Sequence, residues 1–129
     1  MKKILVIEDN PFIRENIVVM LQFANYEVID AENGISGIET VIAQKPDLVI
    51  SDIMMPGLNG FEVLTALRNN PETATIPFIF LSAKSTNTSI IEGLELGADD
   101  YLVKPFHEQE LLIAVENCLY GKPAFPKFI

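Results

Sequence analysis

The chain of 129 residues is the size of one ordinary domain, and at 49% hydrophobic and 21% charged its composition is that of a globular protein rather than a disordered or fibrous one. Eighteen acidic residues against nine basic ones give a net charge of −9, with the basic residues scattered singly apart from Lys2 and Lys3; this argues against a nucleic-acid partner and for a metal cation or a basic partner surface. No apolar run is long enough to cross a bilayer, the N-terminal MKKILVIED turns acidic where a secretory leader stays apolar, and the lone Cys118 can close no internal disulfide, so a cytoplasmic protein without redox chemistry is expected.

In chain order, KILVIE (3–8) reads as a strand, and Asn10-Pro11 then opens a helix: asparagine suits the N-cap and proline the first helical position. Ile13, Ile17, Met20, Leu21 and Ala24 mark one face of that helix. YEVIDA (26–31), DLVIS (47–51), PFIFLS (77–82) and DYLVK (100–104) read as four more strands, with amphipathic segments between them. A last helix presents Leu111, Ala114, Val115, Cys118 and Leu119 on one face, which makes Cys118 a small core residue rather than a reactive thiol. Near-continuous apolar strands alternating with helices imply a parallel sheet covered on both faces, a (βα)5 chain of the α/β class. Residues 1–120 form the expected domain. Residues 121–129, with two prolines and no periodicity, read as a tail or the start of a linker despite the apolar Phe125, Phe128 and Ile129.

Open sheets of this kind bind ligands beyond the carboxyl ends of their strands. Those ends carry Glu8 and Asp9, Asp52, Ser82 and Lys104. Each has an ordinary reading alone: a solvated loop carboxylate, a turn serine, a surface lysine. Together at one edge they form a site. Carboxylates from adjacent strands repel unless a cation or a raised pKa relieves them, and an all-oxygen set suits Mg²⁺ or Mn²⁺. Lys104 and Ser82 add the charge and the donor that a phosphoryl anion needs. After Asp52, Met55-Pro56-Gly57-Leu58 suits a type II turn, and Asn59 with Glu62 suits a capping box, giving a rigid loop that holds backbone carbonyls beside the carboxylate. Asp99 and Asp100 open the last strand at the opposite edge, where solvation is expected. His107 begins the last helix, and Met54 and Met55 read as core or turn filler. No nucleotide-binding glycine loop, zinc-protease motif or serine-hydrolase elbow is present.

ILVIED (4–9), DLVISDIMMPGLNG (47–60), FLSA (80–83) and GADDYLVKPF (97–106) resemble the receiver domain of two-component response regulators, the resemblance covering residues 1 to about 120. It implies a flavodoxin-like doubly wound fold with strand order 2-1-3-4-5 and an aspartyl-phosphate switch. By match to the motif, Asp52 would accept a phosphoryl group from a histidine kinase or phosphotransfer protein. Asp9 and Asp52 would bind Mg²⁺ directly and Glu8 through water, with the backbone carbonyl of Met54 completing the ligands. Lys104, aimed by a cis Lys-Pro bond, would pair with the phosphate; Ser82 would move toward it and Tyr101 would swing inward. Serine at 82 stands where threonine is commoner, and glutamate at 8 where aspartate is common. Met54 and Lys84 would flank Asp52. The output face would be residues 88–96, 101–103 and 107–119, for a protein target or a homodimer. Such a chain catalyses only its own phosphorylation and dephosphorylation. A pseudo-receiver that binds partners without taking phosphate is the alternative, while a phosphohydrolase would want an acid where Met54 stands.

Overall fold

Apolar residues on consecutive rather than alternate positions mark β1 (Lys3–Ile7), β3 (Leu48–Asp52) and β4 (Phe78–Ser82), and in β3 and β4 every residue is buried. β2 (Glu27–Ala31) and β5 (Asp100–Val103) admit polar residues and are less covered. The reason is their place in the computed structural model, which describes residues 1–83 and 87–121: the strands pair in parallel in the order β2-β1-β3-β4-β5, so these two are the edges. Lys84, Phe125, Phe128 and Ile129 lie outside the described residues.

The helices are α1 (Pro11–Phe23), α2 (Gly34–Gln44), α3 (Gly60–Arg68), α4 (Asn87–Glu95) and α5 (Glu108–Tyr120). Successive strand residues point to opposite faces, so each strand feeds two cores. Ile4, Val6, Ile50, Ile79 and Leu81 meet Ile17 and Leu21 of α1 and Leu111, Ala114 and Val115 of α5. On the other face Leu5, Ile7, Val49, Phe78 and Phe80 meet Val41 of α2 and Val63, Leu64 and Leu67 of α3. The expected apolar stripe of α1 is buried at Ile17 and Leu21, whereas Ile13 at the helix start faces solvent. Cys118 is half-buried against the α1–α5 core; burial first, then the charges of Asp99 and Asp100, push its thiol up to about 12, so it holds no thiolate near neutrality. Among the described residues no helix is long and apolar enough to cross a membrane.

Candidate functional site

Register delivers the site. Ile7 pairs with Ser51, Asp52 with Leu81, and Ser82 with Val103, so the residues at or just past these positions emerge at one edge of the sheet. Backbone bonds carry the alignment one residue further: Glu8 N donates to Ala31 O (3.1 Å), Ile53 N to Leu81 O (3.2 Å) and Lys104 N to Ser82 O (2.8 Å). Strand order reverses between β1 and β3, and Glu8, Asp9 and Asp52 flank that crevice.

Carboxylate oxygens of Glu8, Asp9 and Asp52 all lie within 4.8 Å of one another. Glu8 is 1% exposed and Asp52 6%, while Asp9 is open to solvent. The Lys104 ammonium reaches between two of them, 2.8 Å from Glu8 Oε1 and 3.4 Å from Asp52 Oδ2. Asn10 N donates to the other Glu8 oxygen (3.1 Å) and Ile53 N to Asp52 Oδ1 (2.8 Å). Burial holds the Glu8 carboxyl above the usual glutamate value, and the Asp52 charge adds to this, although the hydrogen bonds from Lys104 and Asn10 oppose it. Burial works against the Lys104 ammonium, but its bond to Glu8 and the Asp52 charge more than reverse this, leaving lysine above its usual value. Among the described residues Glu8 and Asp52 thus share one cation, with Asp9 beside them. The lone pairs that remain suit a hard divalent ion, with the exposed Asp9 the less engaged donor because both oxygens of Glu8 and of Asp52 already face a donor.

The loop after Asp52 is fixed by its backbone. Gly57 takes φ +77°, as the Pro-Gly turn requires, and Gly60 N donates to Ile53 O (2.9 Å) to close the loop. A Cβ at residue 60 would stand 2.9 Å from Ile53 Cα and collide with the Asp52 carbonyl, so only glycine fits. Asn59 and Glu62 form the reciprocal capping box at 2.9 Å each way. Met55 is buried beneath the loop while Met54, beside Asp52, is exposed.

Ser82 is fully buried, near enough to the Tyr101 phenol to influence its ionisation. Tyr101 is 9% exposed and lies inward, its ring edge-to-face with Phe80 at 6.1 Å. Burial raises its phenol above the usual value, Ser82 counters this, and the Asp52 charge reinforces it. The space it occupies exists because α4 carries Gly93 here: a Cβ at that position would sit 3.0 Å from Phe80 and 3.2 Å from Tyr101. The Lys104–Pro105 peptide bond is cis.

The opposite edge holds what the sequence reading missed. Asp99 is no merely solvated carboxylate: its Oδ2 accepts from Phe78 N (2.8 Å) and from Arg68 (3.4 Å). Arg68 also donates to Ile76 O (2.7 Å) and Gly97 O (2.8 Å), tying α3 to the start of β4 and the end of α4. His107 caps α5 by position, its N–H donating to Glu110 (2.8 Å).

The model of the response regulator receiver domain family matches residues 4–116. The chain belongs to that family. This receiver domain is 39% identical over 121 residues to Protein PilH of Pseudomonas aeruginosa, covering 94% of this chain and 100% of PilH. It is 42% identical over 118 residues to the phosphate regulon transcriptional regulatory protein PhoB of the same organism, covering 92% of this chain but 52% of PhoB. The chain spans about half the length of most of the curated relatives it matches. Among solved structures, the chemotaxis protein CheY4 of Vibrio cholerae superposes with TM-score 0.87 at 33% identity, over 92% of this chain and 99% of that one. The receiver domain of the Francisella response regulator 1452 superposes with TM-score 0.88 at 32% identity, over 95% and 100%. These neighbours share the doubly wound receiver fold expected from the sequence.

Proposed function

We propose that this receiver domain accepts a phosphoryl group on Asp52 from a histidine kinase or phosphotransfer protein, and that the phosphate switches the face built from α4, β5 and α5. The observation that carries the reading is the buried Asp52 carboxylate 3.4 Å from the Lys104 ammonium, with the Glu8 and Asp9 carboxylates beside it. A carboxylate facing a phosphoryl group meets like charge. Lys104 is placed to offset that repulsion and to pair with the phosphoryl oxygens as charge moves onto them. In the transfer an Asp52 oxygen forms a bond to phosphorus, the phosphorus–nitrogen bond of the donor imidazole breaks, and that nitrogen keeps the electron pair and takes up a proton. Asp9 and Asp52 would hold Mg²⁺ directly, Glu8 through water and the Met54 carbonyl as the remaining protein ligand; Mn²⁺ fits the same donors. Bound there, the ion supplies positive charge to the phosphoryl oxygens.

Ser82 then turns its hydroxyl to the phosphate, and Tyr101, already inward, fills the space beside it. In this reading the domain comprises residues 1–120 and works in the cytoplasm, 121–129 being a tail or linker start. It catalyses only its own phosphorylation and dephosphorylation, and it engages a protein target or a second copy, neither nucleic acid nor membrane. The test is intact mass after incubation with Mg²⁺ and a small acyl phosphate, for wild type and Asp52→Asn. One phosphoryl group on wild type and none on the variant is expected. No adduct on either, with a cognate kinase also failing, would make the domain a pseudo-receiver, and multiple turnover of a free phosphate ester would make it a hydrolase.

A further inference from the structure

The output face admits either a second copy or another protein, and its charge separates the two. Between residues 87 and 121 the chain carries seven acidic residues and one basic one, Lys104. That lysine is committed to Glu8 and Asp52 at the site. Along the outer side of β5 runs a groove of about 390 Å³, lined by Asp100, Leu102, Val103, Glu110 and Ile113 among others. Its floor is apolar and its ends are acidic. Ile113 is 54% exposed beside it, and on α4 Ile91 is 52% exposed. Exposed Glu92 on α4 lines a second hollow with Ile91 and Glu95, adding acidic charge to the same face.

A twofold dimer through this face would set the same patch against itself. Since α4, β5 and α5 contain no lysine or arginine, no acidic side chain there would meet a basic one. Two like charges 4 Å apart cost about 1 kcal/mol in water and more once water is excluded. The same groups opposite lysine or arginine gain charge-assisted hydrogen bonds.

We propose that the groove between β5 and α5 receives a basic amphipathic segment of another protein, one apolar side chain entering between Leu102 and Ile113 and lysine or arginine facing Glu92, Asp100 and Glu110. The partner is not a second copy of this chain. The proposal rests on the reading of this face as the output of the switch, and its test keeps the two apart.

The probe is a fluorescein-labelled amphipathic peptide of leucine and lysine, with a leucine–glutamate peptide of the same pattern as control. Both are titrated into the full chain with and without Mg²⁺ and beryllofluoride, and amide shifts are recorded. Expected are binding of the lysine peptide alone, shifts centred on residues 100–103 and 110–113, and a loss of about tenfold in affinity for Glu92→Lys. Ile113→Asp should lose at least as much. Glu39→Lys, an equal charge change on exposed α2, should lose less than about twofold. Equal losses for the two lysine variants would reduce the effect to bulk charge and overturn the proposal. Sedimentation showing a dimer that Ile113→Asp dissolves would overturn it in favour of a second copy. A chain that forms the Asp52 adduct but takes no peptide on this face overturns the docking proposal alone. A chain that takes the peptide there yet forms no adduct supports the groove and overturns the switch.

Discussion

Both edges of the sheet place a cation beside a carboxylate, and they use the pair differently. At the edge where the strands begin, Asp99 accepts the N–H of Phe78, and Arg68 donates to the carbonyls of Ile76 and Gly97, so each charge also satisfies main-chain groups. At the edge where they end, one lysine among the described residues stands beside three carboxylates, two of them buried, and these residues together are left with negative charge. Similar side chains thus make a staple at one end and, at the other, the centre proposed to take the phosphoryl group. The difference lies in the number of charges and in how many of their bonds the backbone already takes.

Lys104→Met tests the reactive end. Adduct formation on Asp52, followed by intact mass over time, should slow about a hundredfold, the usual effect of losing one group that stabilises developing negative charge. Arg68→Ala tests the staple: it should cost about 2 kcal/mol in urea unfolding, through unpaired carbonyls and a weakened turn at Gly97, while leaving the adduct rate within about twofold. If Arg68→Ala slowed the adduct as much as Lys104→Met, the division between the edges would fail.

The smallest effect is in pH. Because Glu8 titrates above its usual 4.5 in the folded chain, the stability it contributes is complete below that value and is lost as pH rises through the raised one. Glu8→Gln carries no such charge. In chelator, the melting temperature of the variant relative to wild type should therefore climb as pH rises from about 4 and level off above the raised value. A flat difference would mean that Lys104 fully compensates the buried carboxylate.

Period and composition placed every strand to within a residue or so, because a buried parallel strand writes itself as an unbroken apolar run. They did not give the strand order, which came only with the resemblance, since alternation fixes parallel pairing and not who pairs with whom. The chemical groups at the strand ends were legible for the same reason as the strands. The Arg68–Asp99 contact was not: it joins residues 31 apart, and nothing in either segment marks the other. Nor was the demand for glycine at residue 60, which depends on a carbonyl eight residues earlier folding back to meet it.

Phe80 and Ser82 stand two residues apart on one face of β4, the ring held by Phe61 at 5.2 Å and Phe78 at 5.0 Å. Tyr101 closes against both. Phe80 touches three rings, Phe61, Phe78 and Tyr101, and the absence of a Cβ at Gly93 leaves room for it and for the phenol together. The resting position of the Tyr101 ring is therefore a matter of volume before it is one of charge: a single methyl at residue 93 would press on Phe80 and Tyr101 together and make one of them shift by a few tenths of an ångström.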